Sequence, residues 1–325
     1  MGARDRFSTL AGCLRVLRER TPEPHDLIVV VGGAPEARRR AWLDEFGDGV
    51  RWIFRPEFLN QAQSRNIGLR EVRTRLAVTM DDDVMVRPGW LSALLRCQAE
   101  TGAVMVVPLI LEADRRIHTA GNDLYVTHED GRAYAHKELR FFGMTYGERA
   151  NLERRRTDYG ELHCQLVEVE ATLALGAYDE QILEVGEVDS GLVWARAGRE
   201  MWFEPTAVVQ FSYGTPLEAE DIRFFEWRWD MRAVLEGYRH FERKWNMDMT
   251  EHGHFRDFLW YYNRQLGLLP RLFPSRWALR VDDGLRRLRW GAGRLAAPLL
   301  LPAALARRYK ARRLGFDSWP PPTHG

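Results

Sequence analysis

At 325 residues, with 45% hydrophobic and 29% charged residues, the chain can bury a sizeable core without disulfide or metal staples. A formal net charge of +1 excludes a global electrostatic pull toward nucleic acid, so no nucleic-acid partner is expected. Cys13, Cys97 and Cys164 are too widely spaced for a zinc knuckle or disulfide framework; no signal peptide opens the chain and no apolar run reaches the roughly 18 residues of a membrane span, so a cytoplasmic location is expected.

The first half reads as alternating helix and strand. FSTLAGCLRVLRERT places Phe7, Leu10, Leu14 and Leu17 at helical spacing. DLIVVVGG is a short buried strand, and PEARRRAWLDEFG a helix with proline in its first turn and Gly47 past its end. VRWIFR is a strand. NQAQSRNIGLREVR is a helix that Asn60 can cap. RLAVTM is a strand, RPGWLSALLRCQAE a helix and AVMVVPLIL a further strand. Such alternation with short loops predicts an α/β fold, Rossmann-like, with a mostly parallel sheet flanked by helices.

The strand RLAVTM runs into three adjacent acids, Asp81, Asp82 and Asp83. In open α/β sheets ligands bind beyond the carboxyl ends of the strands. If the extended backbone continues, Asp81 and Asp83 share one face while Asp82 points away. Such a pair can hold Mg²⁺ or Mn²⁺ and leave positions for phosphate oxygens. A solvated turn that caps the helix beginning near Pro88 explains the triplet equally well. Further on, VGEVDSGLVWARAG sets Glu187 and Asp189 at a helix start, where the dipole and unsatisfied amides favour a charged carboxylate. That suits a general base and equally suits a capping acid.

AQSRNIGLREVRTRLAVTMDDDVMVRPGWLSAL resembles the core of family-2 glycosyltransferases, in which an Arg-Asn-x-Gly helix precedes a strand ending in an acidic triplet. DRRIHTAGNDLYV, DYGELHCQLVEVEATLALGAYDEQI and EVGEVDSGLVWARAGREMWFEPTAVV resemble the family's later segments in order, so the likeness covers roughly residues 7 to 215. The resemblance implies a GT-A fold and transfer of a sugar, with inversion, from a nucleoside-diphosphate sugar to a hydroxyl acceptor. It implies Mn²⁺ or Mg²⁺ at Asp81 and Asp83, Glu187 as base and Asp189 as a supporting acid. It places Arg65, Asn66, Asp81 and Asp82 beside the donor, and Asp158 and His163 beside the acceptor, a glycan or lipid-linked precursor. Exposed helix arginine and a structural histidine are the plainer readings of Arg65 and His163.

Three features depart from that pattern. Nothing in MGARDR reads as the family's first strand, so either the chain starts earlier or the site is built differently. Gly32 and Gly33 stand where an aspartate normally meets the nucleotide base. Gln210, Phe211, Ser212 and Tyr213 follow the strand FEPTAVV, where many members have a metal-binding histidine. A non-catalytic glycosyltransferase-like binding protein with a degenerate nucleotide pocket is the competing expectation.

The expected organisation is a GT-A-like domain over 1–215, a helical, aromatic and basic amphipathic extension over 216–315, and a disordered tail over 316–325. Phe224, Phe225, Trp227, Trp229, Tyr238, Phe241 and Trp245 read as a helix packing on the main domain rather than as a sugar platform. EHGH at 251–254 reads as a polar loop. The arginine-rich segment beyond it reads as basic amphipathic helices suited to the inner face of the cytoplasmic membrane, or to packing on a partner. LAAPLLLPAALA is too short to span and is broken by Pro298 and Pro302. Lysine is rare, at Lys137, Lys244 and Lys310 alone.

Overall fold

The computed structural model describes residues 1–113, 115–147, 152–211, 217–249, 268–273, 275–282 and 284–285. The expected alternation appears as α1 (Leu10–Arg20), β1 (Ile28–Gly32), α2 (Glu36–Phe46), β2 (Arg51–Arg55), α3 (Gln61–Arg70), β3 (Leu76–Met80), β4 (Val84–Val86), α4 (Trp90–Thr101) and β5 (Met105–Glu112). There follow β6 (Ile117–Thr119), β7 (Asn122–Glu129), β8 (Arg132–Leu139), β9 (Arg155–Arg156), β10 (Cys164–Glu168), α5 (Val169–Ala174) and α6 (Gly186–Arg196). The remaining elements are β11 (Met201–Phe211), α7 (Ile222–Arg228), α8 (Met231–Trp245), β12 (Met247–Asp248) and α9 (Leu268–Leu272). Local chemistry sets the boundaries. Asn60 and Gln63 form a reciprocal capping box that starts α3. α4 ends on Gly102 in the left-handed conformation.

The α/β class is as expected, but the sheets are mixed rather than mostly parallel. β1 and β2 pair in parallel. The larger sheet runs β3-β10-β5-β11-β4, with β6 on β5 and β9 on β11. Within it β5–β11 is parallel, whereas β10 runs against both β3 and β5, and β4 runs against β11. The reason lies in the connections. β4 follows β3 across the acidic turn, and β10 is entered from a long excursion without a crossover helix, so neither is forced to be parallel. β5 is buried on both faces: Val106 and Ile110 pack with Leu94, Cys97 and Val209, while Val107, Leu109 and Leu111 pack with Trp194 and Phe203.

The reading of MGARDR is corrected. Gly2 makes parallel bridges to Val30 and to Asp81. Its N–H donates to Met80 O at 3.1 Å, and Val30 N donates to Met1 O at 2.9 Å. Met1 and Gly2 thus occupy a strand position between β1 and β3. Elsewhere between those two strands lies an open groove of about 990 Å³ lined by Leu27, Ile28, Leu76 and Val78. Gly32 and Gly33 also have a structural reason. A Cβ on Gly32 would fall onto Glu57 O, and Gly33 has φ +67° against the Phe58 ring. Glycine here lets residues 57–59 close over the end of β1.

The chain divides into two compact units, Met1–Gln265 and Leu266–Gly325. α7 and α8, expected to open a separate region after residue 215, belong to the first. Phe224, Phe225, Trp229, Tyr238 and Phe241 are buried, and the Phe224 ring stacks on Phe7 at 4.9 Å. Ser212, Tyr213, the EHGH stretch, LAAPLLLPAALA and the tail lie outside the described residues. Among the described residues no helix is long and apolar enough to cross a membrane.

Asp221, fully buried at the start of α7, fastens this arrangement to the amino-terminal segment. It accepts from Phe7 N (2.7 Å), Ser8 N (3.2 Å), Ser8 Oγ (2.6 Å) and Glu218 N (2.8 Å). Asp221→Ala strands these donors and is expected to lower stability by on the order of 3 kcal/mol in urea unfolding. A loss below about 1 kcal/mol would show that the segment is held by other contacts.

Candidate functional site

The acidic triplet is buried. Asp81 is 1% exposed, Asp82 0% and Asp83 3%, which rules out the solvated turn. Asp81 accepts from Gln61 Nε2 at 2.9 Å and from Arg65 at 2.6 Å, both on α3. Asp82 turns the other way and accepts from Arg4 N at 3.0 Å and Thr9 Oγ1 at 3.1 Å. Asp83 has Arg4 at 3.6 Å, and its Oδ1 is buried without a hydrogen-bond partner.

Burial raises the proton affinity of all three acids, and the neighbours then separate them. At Asp81, Arg65 followed by His163 and Arg4 outweighs burial and holds the carboxyl below the ordinary range. Asp82 is pushed well above it by burial and by the adjacent Asp83. Asp83 is pushed up to about 7 by burial, against which Arg4 acts in opposition. One acid is therefore firmly ionised beside two that resist ionisation.

His163 enters this cluster at the start of β10, beside β3. Its Nδ1 lies 3.2 Å from Asp81 Oδ2 without hydrogen-bond geometry, and one ligand atom each from Asp81, Asp83 and His163 lies within 4.8 Å of the others. Burial lowers the His163 pKa to about 4, so the ring is neutral at pH 7 and offers a lone pair. Phe211 stacks on it at 4.0 Å. His118 on β6 and Glu161 also come within 4.8 Å of a His163 ligand atom and of each other.

Glu187 joins through Lys137. Lys137 on β8 donates to Glu187 and stands 3.7 Å from Glu161. Burial would neutralise Lys137, but Glu187 and then Glu161 outweigh it and keep it charged. Asp83, Asp81, His163, Glu161, Lys137 and Glu187 thus form one continuous polar chain. Glu187 sits in the first turn of α6, which Val185 opens at φ 59° and ψ 18°. A β-branched residue in the left-handed region costs on the order of 1–2 kcal/mol, a strain concentrated beside the candidate base.

The other expected residues have different surroundings. Asp189 faces α8, accepting from Trp245 Nε1 at 2.7 Å and Lys244 at 3.0 Å. Arg65 is buried, spending its guanidinium on Asp81, Gln61 O and Leu162 O. Asn66 is buried too and fixes the segment after α5 through Tyr178 O (2.8 Å), Tyr178 N (3.0 Å) and Glu180 (2.9 Å). Asp158 is exposed and accepts from Leu124 N at 2.9 Å. Arg4, His118, Lys137 and Glu161 escaped the sequence reading. Two signals were available: Asp130-Gly131, with φ 48° and 78°, is a strong turn signature for the β7–β8 hairpin that carries Lys137, and lysine is rare in this chain.

Two measurements follow. Arg65→Met removes the ion-pair partner of buried Asp81, leaving it the Gln61 hydrogen bond, and is expected to cost about 3–5 kcal/mol at pH 7. Because the folded pKa of Asp81 is depressed, this contribution is present above the unfolded value near 3.9 and shrinks as the pH falls below it. Asp83 has the opposite sign. Its raised pKa means that ionisation costs folded-state stability as pH climbs from about 4 to about 7. In EDTA, Asp83→Asn is expected to be more stable than wild type at pH 8, with the gap closing toward pH 4. Equal melting temperatures at pH 8 would contradict the assigned burial of this charge.

Comparison with known proteins bears on the fold. The glycosyl transferase family 2 model matches residues 1–157. The structure of GalNAc-T7 with UDP, GalNAc and Mn²⁺ matches at TM-score 0.50 and 18% identity, covering 78% of this chain and 53% of that one. The chain therefore spans about half the length of that relative. Mannosyltransferase PcManGT from Pyrobaculum calidifontis, in complex with GDP-Man and Mn²⁺, matches at TM-score 0.48 and 14% identity, over 97% of this chain and 82% of that one. No curated protein matches the sequence. The fold is thus a GT-A-like α/β fold, with mixed sheets flanked by helices and a family-2 glycosyltransferase match over residues 1–157.

Proposed function

We propose that the protein is a metal-dependent, inverting glycosyltransferase that moves a sugar from a nucleoside diphosphate to a hydroxyl acceptor. The observation that carries this reading is the continuous polar chain from Asp81, Asp83 and His163 at the end of β3 to Glu187 at the start of α6. The family-2 match over residues 1–157 supports it, as does the shared fold of a protein crystallised with UDP and Mn²⁺.

The donor set fits a hard divalent ion. Two carboxylates and a neutral imidazole converge, with Asp83 Oδ1 and His163 Nδ1 buried and lacking hydrogen-bond partners. Asp81 and Asp83 would hold Mn²⁺ or Mg²⁺ with His163 alongside, supplying positive charge against a diphosphate. Arg65 keeps Asp81 ionised for that task rather than meeting the donor itself. Glu187 takes the proton of the acceptor hydroxyl, and the oxygen forms its bond to the anomeric carbon opposite the diphosphate. The bond from that carbon to the phosphate oxygen breaks, its electron pair leaves with the diphosphate, and the configuration inverts. Lys137 holds Glu187 in place through their ion pair. Asp189 supports the base indirectly, tying the same helical turn to α8. A glycan or lipid-linked precursor at the inner face of the cytoplasmic membrane is the acceptor class we favour.

Internal use of Arg65 and Asn66 favours a second reading, a binding protein without turnover. Release of nucleoside diphosphate from UDP-, GDP- and dTDP-sugars, with Mn²⁺ or with EDTA, separates the two. Turnover of one donor is expected, abolished by EDTA and lowered by roughly 10²–10⁴-fold in Glu187→Gln. Glu187→Gln turning over like wild type would remove Glu187 as base, and no turnover with any donor and acceptor pool would favour the binding protein.

A further inference from the structure

The polar chain contains a second ligand group whose chemistry differs from the first. His118 on β6, and Glu161 and His163 on the segment entering β10, each bring one ligand atom within 4.8 Å of the other two. Glu161 and His163 flank Leu162 in the turn that enters β10, and their ligand atoms converge there with that of His118. The pair of aspartates offers oxygen; this group offers two imidazoles and one carboxylate. We propose that His118, Glu161 and His163 form a second divalent-metal site, selective for a borderline transition metal such as Zn²⁺ or Co²⁺ over Mg²⁺.

Several observations support a built site. His163 is buried, and Nδ1 of both histidines lacks a hydrogen-bond partner. Buried imidazole nitrogens without partners are costly unless something binds them. Glu112 Oε1 stands 3.5 Å from His118 Nδ1, a carboxylate beside the ring that makes no hydrogen bond to it. The rings are held by aromatic walls: Phe211 lies 4.0 Å from His163 and 5.5 Å from His118, and Phe142 meets His118 edge-on at 6.0 Å. Among the described residues, Glu161 has Lys137 at 3.7 Å as its ion-pair partner, beyond hydrogen-bonding reach. Two imidazoles and a carboxylate, with a coordination position left open, are a donor set that suits Zn²⁺.

His163 belongs to both groups, so the two sites share that ring. The site stands whether or not the chain transfers sugars.

The test uses the full-length protein, titrated separately with Co²⁺ (visible absorption and calorimetry) and with Mn²⁺ (calorimetry). Wild type is expected to bind Co²⁺ with the absorption bands of an imidazole-ligated ion. His118→Asn and Glu161→Gln are each expected to weaken Co²⁺ at least about tenfold while keeping Mn²⁺ binding. Asp83→Asn is expected to weaken Mn²⁺ and keep Co²⁺. Circular dichroism and a thermal melt accompany each variant, and if His118→Asn does not fold, Glu161→Gln decides. The proposal is overturned if wild type does not bind Co²⁺, or if Co²⁺ binding is unchanged in the folded variants. It is equally overturned if Co²⁺ and Mn²⁺ are lost together in Asp83→Asn, since that outcome means a single shared site.

Discussion

Three adjacent carboxylates can be buried at the end of a strand only if each has its own source of compensation, and the surroundings of β3 are arranged around that demand. Asp81 takes Arg65 and Gln61 from α3. Asp82 takes the Arg4 amide and the Thr9 hydroxyl from the segment before α1. Asp83 is left with Arg4 at 3.6 Å and an orphaned oxygen. The compensation is therefore graded. A fold that needed these acids only for packing would gain by replacing Asp83 with an uncharged residue, since its ionisation works against burial. Retaining it fits a group that expects a cation.

The two acids that open α6 also differ in their compensation. Both meet a lysine, and the chain has three lysines in all. Lys137 brings Glu187 into the polar chain through Glu161, whereas Lys244, with Trp245, ties Asp189 to α8. A short, strongly hydrated ammonium suits both positions, where a broad guanidinium fork would demand more partners. One helical turn thus serves two purposes, and packing of α8 on Asp189 keeps Glu187 facing the cluster.

Much of the fold was legible because helix periodicity and caps are local. Asn60 capping α3, Gly47 ending α2 and the burial of Leu10, Leu14 and Leu17 all follow from nearby residues. Strand direction was not legible, because whether β10 runs with or against β3 depends on an excursion of some fifty residues whose pairing is non-local. Of the site, the acidic triplet and Glu187 stood out by pattern. His118, Glu161 and Lys137 did not, since they lie far apart in sequence and meet only through the β5–β6 and β10 pairings and the β7–β8 hairpin. Arg65 shows the converse. Its motif was conspicuous, but the guanidinium serves a buried aspartate, a use that sequence spacing alone does not distinguish from phosphate binding.

The central claim is that the buried carboxylates at the end of β3 exist to bind a cation together with a nucleoside diphosphate. Calorimetric titration of UDP, GDP and dTDP, each with and without Mn²⁺, into wild type and Asp83→Asn tests it most directly. One nucleotide is expected to bind wild type in the presence of Mn²⁺, and this binding is expected to be lost in folded Asp83→Asn. Binding that is indifferent to both Mn²⁺ and Asp83, or absent from folded wild type for all three nucleotides, would contradict it.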